Sequence, residues 1–220
     1  MIVSLMALLG CIEDVGKDKV QAKVEDVPEA AQKVEEPAPA AAAATAFAPE
    51  LPGEVWTVDP ASSRIEALAA KVTAKHPIVF NKFQGMVSVA EGKLSGVAFQ
   101  VDMDSLEADA AKLTTHLKNA DFFDVPTYPT STFVSKEVRE GSDVDGMTHT
   151  IVGDFSIHGK TKQITFPVKA EVAEAKVAAA TEFALDRNDF DITYQVSTAD
   201  NLIQDSVVLT VQLAAAKPGV

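Results

Sequence analysis

Residues 149–172 read HTIVGDFSIHGKTKQITFPVKAEV, and apolar and polar residues alternate along both halves of this stretch. The apolar face of the first half carries Ile151, Phe155 and Ile157. The second half carries a longer apolar series, formed by Ile164, Phe166, Val168, Ala170 and Val172. Strict alternation with a period of two is typical of a strand with one dry face and one wet face. The glycine-containing segment between the halves predicts a tight turn, so the stretch is interpreted as a β-hairpin.

The same alternation recurs along most of the chain. Residues 95–105, SGVAFQVDMDS, and residues 205–214, DSVVLTVQLA, are further examples. Eight or nine strand candidates follow one another between residues 55 and 215, separated by glycine-containing turns. Such a series favours an all-β, antiparallel fold, either a sandwich or a closed barrel. A barrel of about eight strands has an interior that is filled by side chains or holds one small ligand.

One segment interrupts the strands. Residues 114–135 read TTHLKNADFFDVPTYPTSTFVS, which begins with a helical pattern and ends as a strand. The pattern predicts one short helical insertion, roughly Leu106 to Asp121, followed by the aromatic pair Phe122 and Phe123. The pair either plugs the core or faces a bound lipid chain. We therefore expect this segment to close or line an apolar cavity.

The composition limits the partners of the protein. The 220 residues carry a formal net charge of −13, and the pI is about 4.7. Nucleic-acid binding and electrostatic docking onto anionic lipid both need clustered Lys and Arg, so we expect no nucleic-acid partner. No apolar run reaches the roughly 18 residues of a spanning helix.

The first part of the chain differs from the rest. The segment LMALLGC, ending at Cys11, resembles the lipobox of bacterial lipoproteins, although no Lys or Arg precedes it. That resemblance implies a lipoprotein-type signal over residues 1–11, lipidation of Cys11 and a lipid anchor in the membrane. Residues 12–52 are rich in Ala, Pro and Glu, which predicts a disordered linker. The barrel domain is expected over residues 53–216.

Four motifs, in order, carry a resemblance to a known family. They are WTVDPASSRIE, THLKNADFFDVPTYPTSTFVS, GDFSIHGKTKQITFPV and TEFALDRNDFDITY. Together they resemble the YceI-like, polyisoprenoid-binding domains. The resemblance implies a lipocalin-like antiparallel barrel with a long apolar pocket for an isoprenoid or similar lipid. The family commonly has Gly after the Arg-x-Asp-Phe run, where this chain has Asp191.

The predicted ligand-binding residues point inward or lie near the mouth of the barrel. They are Phe99, Val101, His116, Phe122, Phe123, Phe133, Phe155, Phe166, Phe183 and Arg187. His116 either contacts a polar head group or braces the helix. Arg187 either pairs with Asp189 or another acid, or recognises an anionic head group. The other histidines, His76, His149 and His158, are expected to be exposed.

The resulting hypothesis is a non-enzymatic protein that binds or carries a long-chain apolar lipid of isoprenoid or quinone type. Two alternatives stay open: a structural or stress-related envelope protein with a filled barrel, and a hydrolase-like enzyme that uses His116. Histidine spacing gives no metal signal, and no cofactor motif is present. The expected location is the periplasm or cell surface of a bacterial envelope, and a homodimer is a further candidate.

Overall fold

The computed structural model describes residues 13–27, 47–195 and 202–219. Strands dominate, with one short α-helix between the seventh and eighth. The elements are β1 (Lys23–Asp26), β2 (Glu54–Val58), β3 (Arg64–Lys71), β4 (Ala74–Phe80), β5 (Phe83–Ala90), β6 (Lys93–Asp102), β7 (Leu106–Ala108), α1 (Ala111–Leu117), β8 (Thr130–Glu140), β9 (His149–Ile157), β10 (Lys160–Val172), β11 (Lys176–Asp186) and β12 (Ser206–Ala216).

Eight strands close into an antiparallel barrel, as the sequence predicts. The ring runs β2–β5–β6–β8–β9–β10–β11–β12 and returns to β2. Strand β3 follows β2 after a 3₁₀ turn and pairs with the rest of β12. Strands β4 and β7 extend the sheet from β3. The described strands outnumber the eight or nine expected, because short strands such as β7 have too few residues to be distinguished from a helix by their pattern alone.

Two of the hairpins have the tight turns that their glycines predict. His158 and Gly159, between β9 and β10, have φ of 53° and 71°. Glu91 and Gly92, between β5 and β6, have φ of 53° and 76°. Positive φ at both central residues is the type I′ geometry, which matches the twist of paired strands.

The helix is shorter than predicted. Leu106 and Ala108 are buried and Glu107 between them is exposed, so this segment has the period of a strand. It pairs with β4 as β7, and helix α1 begins only at Ala111. The prediction of a helix from Leu106 to Asp121 is therefore wrong at both ends. The prediction failed because the first few apolar residues of the segment fit both the helical period of about 3.6 residues and the strand period of two.

The linker prediction does not hold for residues 13–27, which we call the N-terminal strap. The strap forms turns and then strand β1, which pairs with β10. Val15 and Val27 are buried, with 7% and 2% exposure. Cys11 and residues 28–46 lie outside the described residues. The strap was missed because its ordering comes from two distant strands and not from its own composition.

The hydrophobic core lies inside the barrel. Its largest fully buried side chains include Phe133, Phe190, Met103, Leu106 and Ile151. No described helix is both long enough and apolar enough to cross a bilayer.

The expectation that the histidines are exposed is wrong for His149, which is 9% exposed. At the start of β9 it is on the same face as the buried Ile151 and Phe155, and its Nδ1 lies 2.8 Å from the hydroxyl of Thr148. His76 and His158 are half-buried.

Candidate functional site

A cavity of about 70 Å³ lies inside the barrel, and we call it the barrel cavity. Its wall is almost entirely aliphatic and aromatic. Six of the predicted ligand-binding residues line it: Phe99, Val101, Phe133, Phe155, Phe166 and Phe183. All six are on strands, at positions where the alternation turns the side chain inward. The pattern of period two is thus sufficient to predict that these six side chains line the interior of the barrel.

A second cavity, of about 90 Å³, lies at the end of the barrel that carries the helix, and we call it the end cavity. Phe122, Phe123 and Arg187, all predicted site residues, line it together with Leu117 of α1. The helix and the aromatic pair therefore close the barrel and line an apolar cavity, as expected for this segment.

The two cavities meet at a shared wall. Phe80, Phe155, Ile157 and Leu209 line both of them. We call these residues the partition. Each cavity alone exceeds the roughly 10–15 Å³ needed for one water molecule. A barrel packed solid would leave no such volume, and an unfilled apolar cavity of this size costs on the order of 2 kcal/mol of stability.

The polar side chains that line the cavities already have protein partners. In the barrel cavity, the hydroxyl of Ser131 donates to the Ser156 carbonyl at 2.9 Å. The hydroxyl of Thr181 donates to the Pro167 carbonyl at 2.6 Å. In the end cavity, the carboxylate of Asp186 accepts from the backbone N–H and the side-chain amide of Asn188, each at 2.8 Å. The walls therefore suit a hydrocarbon better than a ligand that needs buried hydrogen bonds.

A chain of aromatic rings runs along the interior. Phe99 stacks on Phe133 at a centroid distance of 5.4 Å, and Phe133 contacts Phe166 at 5.4 Å. Phe166 stacks on Phe183 at 4.4 Å. In a separate contact, Phe155 of the partition meets Phe190 edge to face at 5.2 Å. These rings form a continuous aromatic part of the wall of the site.

His116 is half-exposed and lines neither cavity. Its Nε2 lies 2.8 Å from the carboxylate of Asp121. Its ring packs edge to face on Phe122 and on Tyr194, with centroid distances of 5.2 and 4.9 Å. These contacts fit the bracing role and hold the wall of the end cavity in place. Contact between His116 and a polar head group, the other alternative, stays a prediction.

Arg187 is buried at the end cavity, and four protein oxygens surround its guanidinium. Nε donates to the Gln204 carbonyl at 3.2 Å, and Nη1 donates to the carbonyls of Ile192 and Tyr194. Nη2 donates to the Asp205 carboxylate at 2.9 Å. The acidic partner is therefore Asp205 and not Asp189. The guanidinium fastens the segment after β11, and its methylene stem faces the cavity.

Several lining residues escaped the sequence analysis. Phe190 and Ile192 line the end cavity from a 3₁₀ turn and the residues after it, where no strand period exists. Phe80 lies in a strand that also contains Pro77 and His76, which obscured the alternation. The alternation of Ile78 and Phe80, both buried, was the signal that could have found it. Across the described part of the chain, no group of three or more His, Cys, Asp or Glu is arranged to hold a metal ion.

Comparisons with known proteins agree with this architecture. A UPF0312 protein of Vibrio cholerae is 38% identical over 87 residues, which are 39% of this chain and 44% of that protein. A UPF0312 protein of Pseudomonas putida is 36% identical over 89 residues, which are 40% of this chain and 45% of the relative. The matched region thus spans less than half the length of these relatives.

Solved structures share the fold at low sequence identity. BcnA of Burkholderia cenocepacia aligns with a TM-score of 0.64 and 23% identity, covering 72% of this chain and 99% of that one. A polyisoprenoid-binding domain from Saccharophagus degradans, implicated in plant cell wall breakdown, aligns with a TM-score of 0.60 and 14% identity, covering 74% and 98%. The family model of the YceI-like domain matches residues 56–215, from the first barrel strand to the last. The chain therefore belongs to the YceI-like domain family.

Proposed function

We propose that this protein binds a long-chain apolar lipid, of isoprenoid or quinone type, inside its barrel. The observation that carries the proposal is the pair of apolar cavities that meet at the partition, with wall hydroxyls already bonded to the backbone. Moving each methylene group of a lipid out of water is worth about 0.8 kcal/mol. A hydrocarbon chain can therefore bind tightly without polar contacts.

A long isoprenoid exceeds either cavity alone. Its chain would pass the partition, and the aromatic ring of Phe155 would turn aside to join the two volumes. The polyisoprenoid-binding domain of Saccharophagus degradans, which has the same fold, supports an isoprenoid over other hydrocarbons. In this proposal the protein acts by binding, and no catalytic step is assigned to it.

The proposed location is the periplasm or the cell surface of a bacterial envelope. The support is the lipobox-like segment that ends at Cys11, whose lipid would anchor the protein to the membrane. Stable anchoring needs more than one acyl chain, and lipoproteins carry several. Cell fractionation of the native chain and of Cys11→Ser tests this. Release of the variant alone into the soluble fraction is expected, and identical fractionation would contradict the anchor.

Organic extraction of the purified native protein, followed by mass spectrometry, tests the ligand. We expect a prenyl lipid in stoichiometric amount, and geranylgeraniol should refill the protein after delipidation. Protein that never retains lipid, even after geranylgeraniol is offered, would overturn the proposal and leave the filled-barrel alternative. Sedimentation of the same sample would detect the proposed homodimer.

A further inference from the structure

The wall of the barrel is split between β10 and β11. These two strands pair only from Lys169 opposite Ala180 to Val172 opposite Val177. The hydroxyl of Thr181, bonded to the Pro167 carbonyl, marks the point where the strands separate. Beyond it, toward the end cavity, the edges of β10 and β11 face each other without pairing. A split of this kind exposes backbone groups that require another partner.

The N-terminal strap supplies that partner. Its strand β1 pairs with β10 from Lys23 opposite Thr165 to Asp26 opposite Lys162. On the other side, the N–H of Ala22 donates to the Ala184 carbonyl at 3.0 Å, and the N–H of Ala184 donates to the Val20 carbonyl at 2.8 Å. The strap therefore lies between β10 and β11, which are about 10 Å apart where it is inserted, at two strand spacings.

The split opens onto the binding site. Ile164 and Phe166 on β10 and Phe183 on β11 all line the barrel cavity. Phe166 and Phe183 stack across the split, with their centroids 4.4 Å apart. The strap thus covers a gap in the barrel wall, and residues of the barrel cavity line the inner side of this gap. The gap lies at the level of the partition.

The strap has a shorter ladder than the longest strands of the barrel wall. It has a ladder of four residue pairs with β10, whereas β11 and β12 pair over their full lengths. Its ion pairs, Asp26 with Lys162 and Lys19 with Glu182, lie at the surface, where such pairs contribute little. Segments held by short ladders at the surface open more easily than core strands.

We propose that the N-terminal strap is a displaceable strand that closes a lateral opening in the barrel, through which the apolar ligand enters and leaves. This inference rests on the proposed lipid-binding function. The proposed entry route is separate from the end cavity, where Arg187 fastens the segment after β11. Displacing the strap and parting the Phe166–Phe183 stack would expose the barrel cavity, and the pairing of the eight barrel strands would remain intact.

A reversible cross-link tests the opening. Glu25 and Gln163 face each other across β1 and β10, on the outer face. Directly opposed residues have Cα atoms about 4.5–5.5 Å apart, which suits a disulfide. The variant Glu25→Cys/Gln163→Cys, in a full-length Cys11→Ser background, locks the strap when oxidised. The control Thr132→Cys/Ser156→Cys joins opposed residues of β8 and β9, away from the split.

The probe is diphenylhexatriene, a hydrocarbon that fluoresces when it leaves water. We expect the oxidised strap variant to take it up about tenfold more slowly than the same protein after reduction, with the same final amplitude. The control variant should take it up at one rate in both states. Equal rates for the oxidised and reduced strap variant would overturn the lateral opening. Absence of uptake in every sample would instead overturn the lipid-binding function, and this inference with it.

A second variant acts in the opposite direction. A Cβ atom on Gly16 would lie 2.8 Å from Cβ of Ser206 and 3.1 Å from Cβ of Ala184, closer than normal contact. Gly16→Val should push the strap away from β11 and β12. We expect faster uptake of diphenylhexatriene and an unchanged circular dichroism spectrum of the barrel. Uptake as slow as in the native protein, with the strap shown to be displaced by rapid amide exchange at Ala184, would contradict the proposal.

Discussion

Arg187 and Asp205 form an ion pair whose two members lie in different environments. Nη2 of the arginine is 2.9 Å from Oδ1 of the aspartate, yet the side chains are 5% and 57% exposed. The arginine also donates to three backbone carbonyls of the segment after β11. Its main role is therefore to satisfy buried carbonyls, and the carboxylate at the surface is secondary.

Unequal effects are expected from removing the two partners. Arg187→Leu leaves three carbonyls without their donor, so it should lower the free energy of unfolding by about 3 kcal/mol or more. Asp205→Asn should lower it by about 1 kcal/mol or less, because exposed pairs contribute little. Urea denaturation of both variants measures the difference. Similar losses would show that the ion pair, and not the carbonyl contacts, stabilises this end of the barrel.

The partition should control the length of the ligand. Phe155→Leu removes part of the wall between the cavities, so longer prenyl alcohols should bind more tightly, by about 0.8 kcal/mol for each methylene group newly accommodated. The variant should lose less stability than the roughly 3–5 kcal/mol of a complete truncation to Ala. Competition with prenyl alcohols of increasing length measures the effect. Phe99→Leu, which enlarges the barrel cavity alone, is the control, and an equal change in length preference there would contradict the role of the partition.

Filling the barrel cavity should separate ligand binding from folding. Ala179 lines the cavity, and Leu at this position would occupy part of its 70 Å³. We expect Ala179→Leu to bind lipid weakly and to remain within about 1 kcal/mol of the native stability. Ala178→Leu places the same side chain on the exposed face of β11 and should leave binding unchanged. Native affinity in Ala179→Leu would mean that the lipid lies elsewhere.

His149 should make the fold sensitive to mild acid. Burial holds the pKa of this histidine below its usual value of 6.5, although Glu140 acts in the opposite direction. The unfolded chain therefore binds the proton at a higher pH than the folded protein does. Stability is highest above pH 6.5 and falls as the pH drops through the pKa of the folded state. His149→Gln should flatten the change in urea midpoint between neutral and mildly acidic buffers, and an unaltered slope would exclude His149 as its source.

Asp191 is expected to tolerate glycine well. It has φ of 57°, in the left-handed region, where a non-glycine residue costs roughly 1–2 kcal/mol, and Asp less than most. Its ion pair with Lys160 is largely exposed and contributes under about 1 kcal/mol. Asp191→Gly should therefore match or exceed native stability in thermal denaturation. Asp191→Asn loses only the charge, so it separates the contribution of the ion pair from the cost of the left-handed backbone. A marked loss of stability in Asp191→Gly alone would show that this backbone cost is small.

The left-handed backbone at Asp191 also shows what the sequence could predict. The departure from the family's usual glycine was visible as a residue type, but its conformation depends on the 3₁₀ turn before it. Inward strand residues such as Phe133 and Phe166 were predictable, because alternation alone sets their direction. Phe190 and the strap were not, because their positions depend on contacts between segments far apart in the chain. For Arg187 the sequence left two roles open, pairing with an acid or recognition of an anionic head group, and its partner Asp205 lies 18 positions further along the chain.

The N-terminal strap also has a consequence for how the chain is made. Asp26 and its partner Lys162 are 136 positions apart, and Lys19 and Glu182 are 163 apart. The strap leaves the ribosome before β10 and β11, and these neighbours in the wall exist only after most of the barrel has been synthesised. Contacts this distant in the chain form late in folding. Each newly made molecule therefore passes through a stage in which the gap between β10 and β11 is open. A lipid present at that stage would be enclosed when the strap pairs with these strands.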